Sequence, residues 1–273
     1  MKDFKNKIVV ITGGATGIGF ALAKRLGQEG ATIIIAGIRP DPLQKAVTSL
    51  TALEIDASYQ LCDVTKEADL VQLEKHTRTT YGSVDVLFNN AGIGGVSQSI
   101  LDSTESEVMN ILGVNFFGAW NAIRVFGKQM RAAGTPCAIY TTGSENSFFN
   151  AVRNGGAYIA SKHGIHAIMK SLRQEAPDFM EVGIIIPGFV YTEIGPEAIM
   201  KMGMEADEFV DRLMPQIKAG QFYIVSHAYN VERIREQYEE VKSAFDEYAP
   251  RYEGDEKYDI QFLMAHLRKQ SKG

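Results

Sequence analysis

Lys7-Ile8-Val9-Val10-Ile11-Thr12-Gly13-Gly14-Ala15-Thr16-Gly17-Ile18-Gly19 is the stretch on which the architecture turns. Its first half is apolar and β-branched without polar alternation, the composition of a strand buried on both faces. It ends in a glycine cluster, after which Ala21, Leu22 and Leu26 fall on one face of a helix running from about Ile18 to Gln28. Gly13 allows the chain to turn sharply, and Gly17 and Gly19 allow backbone to come close to a ligand and to the sheet. A helix starting there presents unpaired N–H groups and the positive end of its dipole, which suits a pyrophosphate. Strand, glycine turn and helix in this order predict dinucleotide binding.

Outward from this unit, the chain alternates short apolar runs with longer amphipathic stretches. Thr32-Ile33-Ile34-Ile35-Ala36 reads as a second buried strand, and further strands are predicted at Tyr59–Cys62, Val84–Phe88, Ala138–Thr141, Gly183–Ile186 and Gln221–Val225. A helix is expected after Pro42, and others at about 66–80, 105–132 and 157–175. Such alternation gives an α/β fold with a doubly wound, mostly parallel, Rossmann-like sheet whose ligands bind beyond the carboxyl ends of the strands. No repeat or linker divides the chain. The reading is one dinucleotide-binding and catalytic domain over residues 1–227, with a substrate lid at about 189–216. A helical extension over 228–273 packs on the same domain or on a neighbouring subunit. In that tail Val231, Ile234, Tyr238, Val241 and Phe245 form a narrow apolar seam, and a second helix is predicted from about Tyr258 to Leu267.

Composition narrows the function classes. The 273 residues carry 28 basic and 33 acidic side chains, a formal charge of −5, which lacks the basic footprint of a nucleic-acid binder. No apolar run approaches the roughly 18 residues of a membrane span. The opening Met1-Lys2-Asp3-Phe4 has no leader-like apolar stretch, so the expected location is cytoplasmic. Cys62 and Cys137 cannot form a disulfide framework and read as buried free thiols. His163 and His166 share a helix face without further ligands at metal-binding spacing, and no metal site is predicted.

The glycine pattern is T-G-x-x-x-G-x-G, and further motifs follow in order: Asp63-Val64, Asn89-Asn90-Ala91-Gly92, Tyr158-Ile159-Ala160-Ser161-Lys162, and Pro187-Gly188 followed by Thr192. Over residues 5 to about 225 the sequence resembles the short-chain dehydrogenase/reductase family. The resemblance implies cofactor contacts from Gly13, Thr16, Gly17, Ile18 and Gly19, from Asp63 and Val64 at the adenine, and from Asn90, Tyr158 and Lys162. Pro187, Gly188, Val190 and Thr192 would meet the nicotinamide end. It also implies a catalytic set of Asn115, Ser144, Tyr158 and Lys162, in which Ser144 holds the substrate oxygen and Asn115 supports a relay water near the lysine. Ser147 is the rival to Ser144, and Asn115 also fits as a polar filler of a helix kink.

The residues themselves support this chemistry. Four helical steps advance about 400°, so Tyr158 and Lys162 lie about 40° apart on one face. A nearby ammonium is expected to lower the tyrosine pKa from its usual ~10, making a general acid/base for a carbonyl or alcohol oxygen. The expected activity is NAD(P)-dependent hydride transfer with a secondary alcohol or ketone. The alternatives are a 3-oxoacyl thioester reductase, a non-redox epimerase or dehydratase, and a cofactor-sensing protein.

NADP is the expected cofactor, with NAD possible. Gly37 stands at the end of the second strand, where an acidic residue would receive the ribose 2′-hydroxyl, and Arg39 follows to meet a phosphate. The residues after Gly188, rich in methionine and aromatics, suit a bulky apolar substrate or equally a core or subunit contact. The helices at about 105–132 and 157–175, with Phe116, Phe117 and Trp120, match those that pair subunits in the family. The expected assembly is a homo-oligomer, a tetramer or dimer.

Overall fold

The computed structural model describes residues 2–95 and 98–270. Seven strands run parallel: β1 (Ile8–Thr12), β2 (Thr32–Gly37), β3 (Ala57–Leu61), β4 (Val86–Asn89), β5 (Cys137–Thr142), β6 (Met180–Ile186) and β7 (Tyr223–Val225). Their order is β3-β2-β1-β4-β5-β6-β7, so the direction of winding reverses between β1 and β4. Parallel neighbours need crossovers, and right-handed crossovers place helices on both faces of the sheet. Alternation within each strand divides the apolar residues between the faces. Val9, Ile11, Ile33 and Ile35 join one buried cluster with Leu22, Leu26 and Phe209. Val10, Ile34 and Leu87 join the other with Leu70, Phe126 and Met169. Central strands buried on both sides have no solvent face to pattern, which explains their unbroken apolar runs.

The helices that position the site are α1 (Gly17–Gln28), α2 (Pro40–Thr51), α3 (Glu67–Thr80), α4 (Glu105–Leu112), α5 (Ala119–Ala133) and α6 (Gly156–Glu175). After β6 come a short α7 (Glu197–Met200) and α8 (Ala206–Lys218). Strand ends differ from expectation by up to three residues, β6 for instance starting at Met180 and β7 at Tyr223, and two departures have local physical reasons. β4 starts at Val86 rather than Val84, because the Asp85 carboxylate takes the Ile8 N–H at 2.9 Å and the Lys7 ammonium at 2.8 Å. The helix expected over 105–132 is interrupted by a π-helical turn at Gly113–Gly118, a rearrangement often found at functional sites.

The chain divides into two units, Met1–Asn230 and Val231–Gly273. The second holds most of α9 (Asn230–Tyr248) and all of α10 (Ile260–Gln270), with Val231, Tyr238, Val241 and Phe245 of the apolar seam exposed. Among the described residues no helix is long and apolar enough to cross a membrane. Cys62 and Cys137 are both buried free thiols, and burial pushes them up to about 12 and about 11 respectively.

Candidate active site

The carboxyl ends of the strands open into one cavity of about 800 Å³. The glycine turn forms one end of it. Gly13 and Gly17 adopt positive φ, +64° and +53°, which an L side chain rarely takes. A Cβ on Gly13 would lie 2.8 Å from the Ala91 Cα, and one on Gly19 would be driven into the Gly13 carbonyl oxygen. Thr16 stands at the N-cap of α1 with no side-chain cap bond, so the first-turn N–H groups remain available. Asn90 locks this arrangement: its amide donates to the Gly13 carbonyl at 3.1 Å and accepts the Thr142 hydroxyl at 3.1 Å. The Thr12 hydroxyl oxygen accepts the N–H groups of Asn90 and Ala91 at 3.1 and 3.2 Å. Three strand ends are thereby held in register.

Gly13, Thr16, Gly17 and Ile18 line the cavity, as do Arg39, Asp63, Val64 and Asn90. Ser144, Tyr158 and Lys162 line its interior, and Pro187, Gly188, Val190 and Thr192 its other side. Gly19 lies beneath the turn and contributes closeness rather than surface. Asn115 sits behind the cavity in the π-helical turn. Its amide accepts the Ile93 N–H at 2.8 Å and donates to the Ile93 carbonyl at 2.9 Å and the Ser161 hydroxyl at 3.3 Å. Ser144 lines the cavity. Ser147 is buried, and its hydroxyl accepts the Ser144 N–H at 3.2 Å.

Lys162 is buried, with its ammonium 3.0 Å from the Thr142 carbonyl and 5.6 Å from the centre of the Tyr158 ring. Contrary to expectation, this ammonium does not bring the Tyr158 pKa below its usual value. Burial raises the phenol above its ordinary value; a hydrogen bond with Ser144 pulls it down, and the Glu145 carboxylate pushes it up. Burial also brings Lys162 itself down, to about 8. Desolvation penalises both charged forms and is the largest influence on each.

Two carboxylates that line the site, Glu193 and Glu145, escaped the motif reading. Arg39 is paired with Glu193 at 3.1 Å, a partner 154 positions away that no local pattern reveals. Glu145, next to Ser144, also lines the cavity, and its only sequence signal was its place beside the serine. The lid splits into two parts. Phe189, Ile194 and Met200 face the cavity, whereas Phe209, Leu213 and Met214 belong to the core. Of the two histidines, the His163 Nδ1 meets the Ile159 carbonyl and the His166 Nε2 the Tyr223 hydroxyl.

These features fit a dinucleotide. An uncapped helix N-terminus beneath a turn with no room for a Cβ at Gly13 or Gly19 offers donors to a pyrophosphate, and the cavity runs from there to Tyr158. Comparison with known proteins agrees. The family model for short chain dehydrogenases matches residues 7–202. The chain is 34% identical to tropinone reductase-like 2 of Erythroxylum coca, over 79% of this chain and 78% of that one. It is 32% identical to 1-deoxy-11-beta-hydroxypentalenate dehydrogenase of Streptomyces avermitilis, over 85% and 88%. The apo structure of LigD from Sphingobium sp. strain SYK-6 superposes with a TM-score of 0.81 at 26% identity, covering 91% of this chain and all of that one. Proteins of this kind use NAD or NADP. With the sheet order, the glycine turn and the family match in agreement, the chain belongs to the short-chain dehydrogenase/reductase family of oxidoreductases.

Proposed function

We propose that the protein transfers hydride between a nicotinamide cofactor and a bulky secondary alcohol or ketone, with Tyr158 as general acid and base. The observation that carries this reading is the convergence of Ser144, Tyr158 and Lys162 on the cavity that also holds the glycine turn, with the Lys162 ammonium 5.6 Å from the centre of the Tyr158 ring. The cofactor, when bound, supplies or accepts the hydride. The protein's residues manage the proton and the charge. Ser144 donates to the reacting oxygen, Tyr158 gives or takes its proton, and Lys162, tied to the Thr142 carbonyl, keeps positive charge beside the phenol. Gly13, Thr16, Gly17, Ile18 and Gly19 would seat the pyrophosphate, Asp63 and Val64 the adenine, and Pro187, Gly188, Val190 and Thr192 the nicotinamide. Asn115 holds the Ile93 backbone and, through Ser161, braces the helix that carries Tyr158. Phe189, Ile194 and Met200 give the substrate end an apolar wall. Absorbance at 340 nm with a panel of ketones and alcohols tests the assignment; absence of net cofactor turnover with every member would overturn it.

The preferred cofactor is NADP. Gly37 lines the cavity, and a Cβ there would meet nothing closer than Leu43 at 3.8 Å, so the end of β2 leaves room for the ribose and carries no carboxylate. Arg39 is held by Glu193, but both side chains are exposed, 61% and 64%, and such pairs are worth about 0–1 kcal/mol. A phosphate monoester carries about −1.5 to −2 charge at neutral pH against −1 for a carboxylate and takes a guanidinium bidentately, so exchange of partners favours the phosphate. We expect higher kcat/KM with NADP in wild type and a swing toward NAD in Gly37→Asp. A wild type that prefers NAD by about tenfold or more would overturn the assignment of Arg39.

The assembly is a homotetramer in this reading. Met109 on α4, Phe117 in the π-helical turn and Trp120 on α5 are each close to half exposed, an apolar surface that pairing would cover. Light scattering at micromolar concentration is expected to return four chain masses, and a monomeric mass would refute it.

A further inference from the structure

The exit of β6 is held by side chains that lie outside the cavity lining. Gly188 and Phe189 line the cavity, and the segment after β7 takes their two successive backbone N–H groups. The Gly188 N–H donates to His227 Nδ1 at 3.3 Å, and the Phe189 N–H donates to the Tyr229 hydroxyl oxygen at 3.3 Å. The approach is close: a Cβ on Gly188 would lie 2.6 Å from both the His227 Cγ and the Tyr229 hydroxyl oxygen. Tyr229 in turn donates to Glu145, just past β5, whose own N–H donates to the Pro187 carbonyl at 2.8 Å. The half-buried imidazole packs between rings, its centre 6.3 Å from that of the core residue Phe209 and 5.5 Å from that of Tyr229.

A backbone N–H can only donate, so Nδ1 is the bare nitrogen and the imidazole is neutral. The Ser226 hydroxyl, 2.7 Å from the same nitrogen, then donates to it as well. A proton added at Nδ1 turns the acceptor into a donor and ends the bond to Gly188. The charged groups facing the ring are Arg212 and Glu208 of α8, opposite in sign and paired with each other, and Glu145 is connected to it through Tyr229. Burial is the largest influence and holds the imidazole below its ordinary 6.5, so the neutral form prevails at pH 7.

We propose that His227 is a positioning residue: its neutral imidazole holds the Gly188 N–H and so fixes the wall on which the nicotinamide end of the cofactor rests. The assignment rests on the proposed placement of the nicotinamide at Gly188. A wall already fixed costs the bound ring no further ordering, whereas a released one must be ordered at each binding event. The sign follows. The ring's share of the affinity is present above the pKa of the imidazole and lost as the pH falls through it, and the adenosine end is untouched.

The test is calorimetric titration with NADP⁺ and with 2′-phospho-ADP-ribose, which lacks the nicotinamide, and in parallel with NAD⁺ and ADP-ribose. The quantity read is the ratio of the two affinities within a pair, from which titration of the 2′-phosphate cancels because both ligands carry it. In wild type the ratio is expected to fall by about three- to tenfold between pH 7.5 and pH 5, the worth of about one hydrogen bond. His227→Asn, whose side-chain oxygen accepts without titrating, is expected to keep the neutral-pH ratio throughout. His227→Leu, with neither acceptor nor charge, is expected to give the low ratio at both pH values. Melting curves at each pH establish that the variants are folded; if His227→Leu is not, the comparison of wild type with His227→Asn decides. A wild-type ratio independent of pH, or a fall that survives in His227→Asn, overturns the proposal. So does a His227→Leu protein with the neutral wild-type ratio, which marks charge repulsion of the ring, or one that loses both ligands equally, which marks a structural role. In all these cases the dinucleotides still bind and the cofactor reading stands. If neither dinucleotide binds at either pH, that reading falls and the His227 assignment with it.

Discussion

Tyr158→Phe is expected to lower turnover by about 10²–10⁴-fold, the usual share of general acid/base catalysis, while cofactor affinity and melting temperature stay close to wild type. The substitution deletes one oxygen and keeps the ring. Little is left unsatisfied, because the Ser144 hydroxyl also accepts the Asn146 N–H at 3.1 Å and sits 3.3 Å from the Asn146 amide nitrogen. Lys162 keeps the Thr142 carbonyl. Steady-state rates at 340 nm, with a cofactor titration and a melting curve in parallel, make the comparison. Retention of more than about a tenth of the wild-type rate would remove Tyr158 from its role.

Gly19→Ala is expected to weaken cofactor binding severely without touching any residue of the catalytic set. The added methyl would be driven into the Gly13 carbonyl oxygen and would lie 2.6 Å from the Asn90 amide nitrogen. Neither can yield cheaply, since the first is backbone and the second is the tie between the turn and β4. Overpacking of this kind costs about 1–3 kcal/mol, and if it falls on the bound geometry the affinity drops by about 5- to 150-fold. Titration of cofactor by protein fluorescence reads this directly. An affinity within about twofold of wild type would mean that the turn does not hold the pyrophosphate.

Much of this molecule was legible because its constraints are local. A glycine that must approach a carbonyl, a strand buried on both faces and a tyrosine one helical turn from a lysine all leave marks within a few residues. What was not legible depended on distant chain or on depth. The pairing of Arg39 with Glu193 joins segments 154 positions apart. The shift of Tyr158 depends on how completely the site excludes water, and the i,i+4 spacing reports proximity but not burial. The π-helical turn showed only as the kink that Asn115 would fill, because Val114, Phe116 and Phe117 keep the chain apolar around it and the extra residue per turn leaves no gap in the pattern. Asp85 looked like strand because its neighbours are valines, but its carboxylate takes the Ile8 N–H as the strand begins.

The cavity walls come from segments spread between Gly13 and Met200, and Gly17 meets Thr192 across them. A chain emerging from the ribosome therefore has no complete binding site until about seven-tenths of it has been made. Early strands can pair, but a dinucleotide cannot select the folded form before β6 has docked. Once it can, ligand and fold become one equilibrium. Free ligand at a hundred times its Kd adds about 2.7 kcal/mol to the stability of the whole unit. The cellular level of the dinucleotide would thus govern how long the protein survives proteolysis, independently of how fast it turns over.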